Sequence, residues 1–227
     1  MTASAIIPAG GTGKRFAAEV PKQFVKLGDA PMIIHTLRRF QECDAIDHIV
    51  LASHALWIEQ ISGLVEEYGI SKVTDIVPGG DERHNSVYNA LISGTIINSD
   101  YVLVHDAVRP FVTCELIRRI IEAASEHGAA IPALAPIETL KEVENGSVKK
   151  TLRRSDFVSV QTPQGFSRQV IMQAYENIPT DTSAITDDAS LVELAGFAVK
   201  VIEGEETNLK ITRPRDIELA EIILSGL

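Results

Sequence analysis

Short apolar runs alternate with longer amphipathic stretches along most of the chain. Six of these runs have the length of a strand, are mostly β-branched or aliphatic, and lack regular polar alternation, which is typical of strands buried on both faces. They occupy residues 3–8, 48–52, 73–77, 101–104, 129–134 and 198–202.

The stretches between these runs have the apolar spacing of helices. In residues 113–127, apolar side chains recur at a spacing that places them on one helix face. The predicted helices cover residues 31–41, 56–68, 85–95 and 113–127, followed by 168–175, 186–194 and 214–224. Strands that alternate with helices predict an α/β fold with a mostly parallel, twisted sheet, helices on both faces, and ligands at the carboxyl ends of the strands.

This alternation is interrupted once, at residues 138–151. Asn145-Gly146 lies between two polar segments of strand length, which is a strong signal for a two-residue hairpin turn. No linker or repeat is evident, so we expect one domain over residues 1–227 with a β-hairpin arm at about 137–156.

Charge and cysteine content narrow the function classes. The chain has 21 Lys and Arg against 31 Asp and Glu, a formal net charge of −10, which argues against binding of nucleic acid or anionic membranes through diffuse positive charge. Cys43 and Cys114 have neither metal-site nor secreted-disulfide spacing. With no signal peptide and no membrane-length apolar run, a cytoplasmic location is expected.

A glycine-rich loop follows the first predicted strand. Backbone N–H groups in such a loop can turn inward around an anion, and lysine and arginine add positive charge. The order of its glycines fits neither a Walker P-loop nor the dinucleotide fingerprint. We interpret it as a phosphate cradle, against the alternative of a glycine turn with solvated charges; its residues are Pro8, Ala9, Gly10, Gly11, Thr12, Gly13, Lys14 and Arg15, with Lys22 nearby.

Two further motifs belong at the same sheet edge. Gly80, Asp81 and Ser86 follow the third strand and either read a nucleotide base or cap a helix. Asp106 follows the fourth strand, where a carboxylate facing phosphates is a natural Mg²⁺ ligand, and Arg109 can clamp a second phosphate.

Other side chains in this part of the sequence receive weaker assignments. His105 has no second histidine near it, so we interpret it as an orienting or core residue. Polar and cationic positions where the chain returns to this edge together suggest a second anion site; they are Thr139 with Lys141, Arg153-Arg154, and the segment 208–212.

Six motifs, in order along nearly the whole chain, resemble those of 2-C-methyl-D-erythritol 4-phosphate cytidylyltransferases. They are Pro8 to Arg15 with Pro21-Lys22-Gln23-Phe24, Gly79-Gly80-Asp81-Glu82-Arg83, His105-Asp106-Ala107-Val108-Arg109-Pro110, Thr162-Pro163-Gln164, Thr186-Asp187-Asp188-Ala189-Ser190 and Asn208-Leu209-Lys210-Ile211-Thr212. The resemblance implies a Rossmann-like nucleotidyltransferase fold and an enzyme of the non-mevalonate isoprenoid pathway. The substrates it implies are CTP and a sugar-alcohol phosphate, methylerythritol phosphate.

The resemblance also implies roles for individual residues. Arg15, Lys22 and Lys210 would be catalytic, and Asp106 would lie at the Mg²⁺. The nucleotide would be bound by the glycine loop together with Gly80, Asp81, Ser86 and Ala107, and the sugar phosphate by Asp106, Arg109, Thr139, Arg154, Thr186 and Lys210. Thr139 and Arg154 come from the arm, which the family uses to form a homodimer.

Three alternatives remain at this point. Ribitol 5-phosphate cytidylyltransferases share the glycine loop and the Asp106 motif. A dinucleotide-binding dehydrogenase is disfavoured because no acidic residue ends the second strand, where Leu51-Ala52-Ser53-His54 stands. A catalytically silent nucleotide-binding protein would bind CTP and release no pyrophosphate.

Overall fold

The computed structural model describes residues 1–11, 21–179, 181–182 and 185–226. The strands in these ranges are β1 Ala3–Pro8, β2 Lys26–Leu27, β3 Ala30–Pro31, β4 His48–Ser53, β5 Val73–Pro78, β6 Tyr101–Val104, β7 Ala129–Leu134, β8 Lys141–Glu144, β9 Ser147–Thr151, β10 Ser159–Val160, β11 Gln164–Ser167 and β12 Lys200–Glu203. The helices are α1 Met32–Glu42, α2 Ile58–Glu67, α3 Arg83–Leu91, α4 Cys114–His127, α5 Arg168–Glu176, α6 Asp188–Leu194 and α7 Arg215–Gly226. None of these helices combines the length and the apolar character needed to cross a lipid bilayer.

The main sheet confirms the α/β prediction. Strands β5, β4, β1 and β6 are neighbours in that order and all parallel. Because the chain moves outward in one direction from β1 to β4 and β5, and in the other direction to β6, the sheet has a topological switch point between β1 and β6. The loops that follow these two strands therefore open a crevice at their carboxyl ends, where ligands of such sheets bind.

The sheet is mixed beyond β6, which the sequence pattern did not indicate. Strand β11 lies between β6 and β7 and runs antiparallel to both, while β7 also pairs with β10 and, in parallel, with β12. Gly165 in β11 lies against Ile120 of α4, where a Cβ atom would collide. The short, glycine-containing sequence of β11 lacks the apolar run that marked the other strands, and tertiary pairing determines its conformation.

Two helical layers cover the sheet. On β1, Ala5 and Ile7 point toward the layer of α1, α2 and α4, whereas Ile6 points toward α3, α5 and α6, as the two-residue period of a strand requires. Thr113 caps the start of helix α4, because its hydroxyl accepts a hydrogen bond from the Leu116 N–H at 3.0 Å. It buries its predicted apolar face: Leu116, Ile117, Ile120, Ile121 and Ala124.

The two cysteines do not remain apart, contrary to the inference from their spacing. Cys43 follows the end of α1 and Cys114 begins α4, and these helices lie in the same layer. Their Cα atoms are 5.2 Å apart, and the residues form a disulfide. Sequence separation failed as a guide because the sheet brings the end of one helix to the start of another.

The hairpin predicted from Asn145-Gly146 is present as β8 and β9, paired with each other in a sheet of their own. Both turn residues have positive φ, 50° at Asn145 and 80° at Gly146, as a tight hairpin turn of this kind requires. Val143 and Val148 on this hairpin are mostly exposed. The hairpin therefore leaves two large apolar side chains without cover in the single chain.

Candidate active site

The loop after β1 lines a cavity of about 330 Å³ at the switch point. The backbone of this loop is fixed at Ala9, whose N–H donates to the Ala52 carbonyl at 2.7 Å and whose carbonyl accepts from the Gln23 amide at 2.7 Å. This cavity, called the larger cavity below, is lined in this region by Pro8, Ala9, Gly10, Gly11 and Lys22.

The glycine turn after β5 forms another part of the wall of the larger cavity. Ser86 Oγ accepts from the Gly80 N–H at 3.1 Å and donates to the Glu82 carbonyl at 3.3 Å. A Cβ at Gly80 would collide with Asn85, which forms a capping box with Glu82 at the start of α3. The turn is thus a helix cap that also lines the cavity, and its contact with a nucleotide base stays a prediction.

Asp106 lies directly beyond β6, at the centre of a cluster of cations. Its carboxylate is 2.8 Å from Lys210 Nζ, 3.4 Å from Arg109 Nε and 3.9 Å from Arg83 Nε. Burial opposes ionisation, but the three positive neighbours outweigh it and hold the pKa of this carboxyl well below its usual range. Asp106 is therefore an anion at neutral pH and holds the cations in place.

Hydrogen bonds between three loops hold the cluster. Thr162 Oγ1 lies 3.0 Å from His105 Nδ1 and accepts from the Asp106 N–H at 3.1 Å, while Arg109 donates to the Asn208 carbonyl at 2.7 Å. Burial lowers the pKa of His105 to about 4, so its ring is neutral at physiological pH. His105 is fully buried and its ring bonds to these loops, in agreement with its interpretation as an orienting or core residue.

A smaller cavity of about 220 Å³ lies beside the larger one. The two cavities share three lining side chains, those of Arg83, Asp106 and Lys210. The smaller cavity is also lined by Thr186 and Asp187, just before α6. A ligand in each cavity would therefore meet the other at the cation cluster.

The chain matches, over residues 3–226, the family model described as 2-C-methyl-D-erythritol 4-phosphate cytidylyltransferase. It belongs to that family. The protein is accordingly a nucleotidyltransferase, a cytidylyltransferase of isoprenoid precursor biosynthesis. This finding decides among the activities that the residues alone left open.

Relatives and solved structures agree with the family assignment. The chain is 42% identical to the 2-C-methyl-D-erythritol 4-phosphate cytidylyltransferase of Bacillus cytotoxicus over 96% of both chains, and 42% identical to that of Syntrophus aciditrophicus over 97% of this chain and 94% of the relative. Its fold is similar to the crystal structure of the Thermus thermophilus enzyme, with a TM-score of 0.81, 33% identity, and coverage of 99% of this chain and 100% of that one. The 4-diphosphocytidyl-2C-methyl-D-erythritol synthase of Anaerococcus prevotii gives a TM-score of 0.84 at 30% identity, over 99% and 96% of the two chains.

Most residues that the cytidylyltransferase resemblance selected are brought together. Those at the larger cavity are Pro8, Ala9, Gly10, Gly11, Lys22, Gly80, Asp81, Ser86, Asp106, Ala107 and Lys210. Arg109 and Thr186 line the smaller cavity, together with Asp106 and Lys210. The remaining loop residues, Thr12, Gly13, Lys14 and Arg15, lie outside the described residues.

Two selected residues lie elsewhere, and one side chain was missed. Thr139 and Arg154, at the base of the hairpin, are exposed and line neither cavity of their own chain; Arg154 donates to the Ile137 carbonyl at 2.7 Å. Arg83 lines both cavities, although the sequence analysis gave it no role. The available signal was its place directly after the glycine turn, at the start of a helix.

The carboxylates of the larger cavity suit a magnesium nucleotide. Asp106 lines it beyond β6, and Asp81 and Glu82 line it from the glycine turn. Mg²⁺ usually takes one or two protein carboxylates and fills its remaining positions with water and phosphate oxygens. One buried carboxylate at the end of β6 fits that donor set.

Proposed function

We propose that the protein transfers the cytidylyl group of CTP to the phosphate of 2-C-methyl-D-erythritol 4-phosphate, with CTP in the larger cavity and the acceptor in the smaller one. The products are 4-diphosphocytidyl-2-C-methyl-D-erythritol and pyrophosphate. The wall common to both cavities carries this proposal, because two polyanionic substrates would meet there beside Arg83, Lys210 and the Asp106 carboxylate.

The reaction is an in-line displacement at the α-phosphorus of CTP. An oxygen of the acceptor phosphate forms a bond to this phosphorus, and the bond to the bridging oxygen of the β-phosphate breaks. The electron pair of that bond leaves with pyrophosphate. A phosphate monoester has its second pKa near ~6 and is largely a dianion at neutral pH, so the reaction needs no general base. His105 is buried, hydrogen-bonded and weakly basic, with its pKa lowered to about 4, which agrees with a reaction that needs no base.

Charge neutralisation and positioning are therefore the main tasks of the side chains. Lys22, Arg15 and the amides of the glycine loop would hold the triphosphate and its leaving group. Lys210, beside Asp106, would stabilise the α-phosphoryl oxygens. Arg109 and Thr186, which line the smaller cavity, would bind the acceptor.

Asp106 would also hold Mg²⁺ on the nucleotide. When bound, the ion supplies charge neutralisation for the phosphates of CTP. Because Asp106 already faces three cations, it orients them whether or not a metal is present.

The hairpin would join two copies of the chain. Val143 and Val148 are 59% and 61% exposed and Ile137 is 83% exposed, and a neighbouring copy would cover such an apolar surface. Thr139 and Arg154, at the base of the hairpin, would then contact the acceptor in the partner's smaller cavity.

Mixing two inactive variants tests this arrangement. Arg154→Ala and Lys210→Ala would each be inactive alone, but a mixed dimer contains one complete site if Arg154 acts across the interface. Recovery of activity after mixing supports the shared site. No recovery, although mixed dimers form, would refute it.

We place the reaction in the cytoplasm, where nucleoside triphosphates are made. Thiols stay reduced in most cytosols, so Cys43 and Cys114, which are bonded in the structure, are expected as two free thiols there. Because Cys43 is fully buried, the test is alkylation in denaturant of lysates prepared without reductant. Labelling of both residues supports a cytoplasmic protein, and a pair that is labelled only after reduction contradicts it.

Pyrophosphate release by the purified protein with Mg²⁺ tests the activity itself. CTP, UTP, ATP and GTP are each combined with methylerythritol phosphate and with ribitol 5-phosphate. Release confined to CTP with methylerythritol phosphate is the expected result. Release only with ribitol 5-phosphate would refute the acceptor, and no release with any pair would refute catalysis.

A further inference from the structure

Arg83 is a charged side chain of the site that the proposed chemistry leaves without a task. It is the first residue of α3 and directly follows the glycine turn of the larger cavity. Of the three side chains common to the two cavities, Asp106 and Lys210 already have roles in the proposed reaction. The position of Arg83 suggests that it connects the two walls.

The guanidinium of Arg83 lies between two carboxylates that belong to different elements. Its Nη2 is 2.7 Å from Asp188 Oδ2 in the first residue of α6, and its Nε is 3.9 Å from Asp106 Oδ1 beyond β6. The Asp188 side chain has no solvent exposure. Burial opposes the charge on Arg83, but the two carboxylates outweigh it and raise the pKa of the guanidinium above its usual range. Arg83 thus forms a charged bridge from α3 to α6.

Asp188 is itself held tightly at the start of α6. The buried Tyr175 hydroxyl donates to Asp188 Oδ1 at 2.6 Å. Gln164 Oε1 accepts from the N–H groups of Asp188 and Ala189, at 3.1 and 3.0 Å, and its amide donates to Asp187 Oδ2 at 2.7 Å. A displacement of Asp188 would therefore displace the whole first turn of α6. Thr186 lies just before Asp187, which caps this turn.

We propose that Arg83 is a positioning residue for cytidylyl transfer, which ties the first turn of α6 and the Asp106 carboxylate to the glycine turn so that the two substrates meet in line. This inference rests on the proposed function, because it takes the two cavities as the sites of CTP and the acceptor. Arg83 acts through Asp188 and Asp106. Its removal would move the acceptor wall relative to the nucleotide wall.

Steady-state kinetics of Arg83→Gln, with each substrate varied in turn, test the proposal. Misplacement of reacting groups by about 1 Å can lower a rate about 100-fold, so we expect kcat to fall about 10- to 100-fold. We also expect the KM of the acceptor to rise. The KM of CTP should change less, because Ser86 and the Glu82–Asn85 capping box still hold the glycine turn.

Two further variants separate positioning from general stability. Arg83→Lys keeps a cation that can pair with Asp188, so it should recover part of the lost kcat. Arg118→Gln is a control for the loss of an arginine ion pair away from the site, because its pair with Asp44, also 2.7 Å long, is exposed and lies among residues that line neither cavity. A general loss of stability would lower the melting temperature but would not raise the KM of the acceptor more than the KM of CTP.

Asp188→Asn provides a second test that does not depend on the folding of Arg83→Gln. It should show the same loss of kcat and the same rise in acceptor KM, and combining it with Arg83→Gln should add little. Kinetics of either folded single variant equal to those of the wild type would overturn the proposal, as would independent, multiplying losses in the double variant. Failure of the proposed function is distinguishable, because the wild type itself would then be inactive.

Discussion

Opening the Cys43–Cys114 disulfide is expected to destabilise the protein mainly by increasing the conformational entropy of its unfolded chain. The bond links the end of α1 to the start of α4 across a sequence separation of 71 residues. In the folded state, the two helices lie in one layer with a continuous apolar cluster, so they remain packed when the bond is opened. The unfolded chain, in contrast, gains the freedom of a long loop.

The length of that loop sets the size of the effect. In the chain-entropy model, closing a loop of 71 residues stabilises the folded state by about 4 kcal/mol at 25 °C. Unfolding a domain of 227 residues has an entropy of about 0.5 kcal/mol/K near 60 °C, so opening the bond should lower the melting temperature by about 8 °C. Native-state strain commonly reduces such effects, which makes these values upper limits.

Thermal and urea unfolding of four samples measure the stability that the disulfide contributes. Comparing the same chain with and without reductant avoids the destabilisation that a substitution itself would cause. The samples are the wild type and Cys114→Ser, each with and without reductant. Cys114 is the better position to change because Cys43 is fully buried. Thiol titration of the denatured wild type first establishes that the bond has formed, after incubation with a small-molecule disulfide where needed.

The expected result is a lower melting temperature in the reduced wild type and no response to reductant in Cys114→Ser. Equal responses of the two proteins would refute the reasoning, because the variant has no bond to lose. Free thiols in the wild type after oxidation would refute the pairing itself.

Three further perturbations test the site and the fold. Lys22→Met and Lys210→Met should each lower kcat about 10²- to 10³-fold, the usual loss for one preorganised charge-stabilising group. A folded variant with near wild-type turnover contradicts the role of that residue. Gly165→Ala should lower the free energy of unfolding in urea by about 1–3 kcal/mol, because its Cβ would collide with α4, whereas Gly63→Ala, with open space at its Cβ, should not lower it. Burial lowers the pKa of His35 in the folded protein. The neutral side chain therefore contributes its full share of the folding stability above the unfolded-state pKa of about 6.5, and this contribution declines as the pH falls below that value. A His35→Gln variant with the same pH dependence of unfolding as the wild type would contradict this.

The sequence predicted the part of the fold in which local pattern and tertiary structure agree. The buried parallel strands around β1 have continuous apolar sequences, and α4 has both a capping residue and an apolar face, so each was identified close to its observed bounds. Strand β11 was missed because it is short, contains glycine and owes its conformation to pairing with β6 and β7. The disulfide was missed for a related reason, since spacing along a chain does not report which helix ends meet.

In the candidate site, too, the residues whose positions follow from local sequence were predicted, and those whose roles depend on tertiary contacts were not. Residues on loops directly after strands, such as Asp106 and Gly80, could be placed at one sheet edge from the order of elements alone. The position of Arg83 could not, because its importance depends on Asp188, which comes from a distant helix. Thr139 and Arg154 lie outside the cavities of their own chain, and no single-chain argument could assign them a partner.

The wall shared by the two cavities also has a consequence for inhibitor chemistry. Because Arg83, Asp106 and Lys210 line both cavities, a ligand in one cavity and a ligand in the other would contact the same three side chains. A short tether that passes these side chains would therefore be enough to join two weak fragments. Its second fragment would bind at the high local concentration that such a link creates, which can raise affinity about 10²- to 10⁴-fold over either fragment alone.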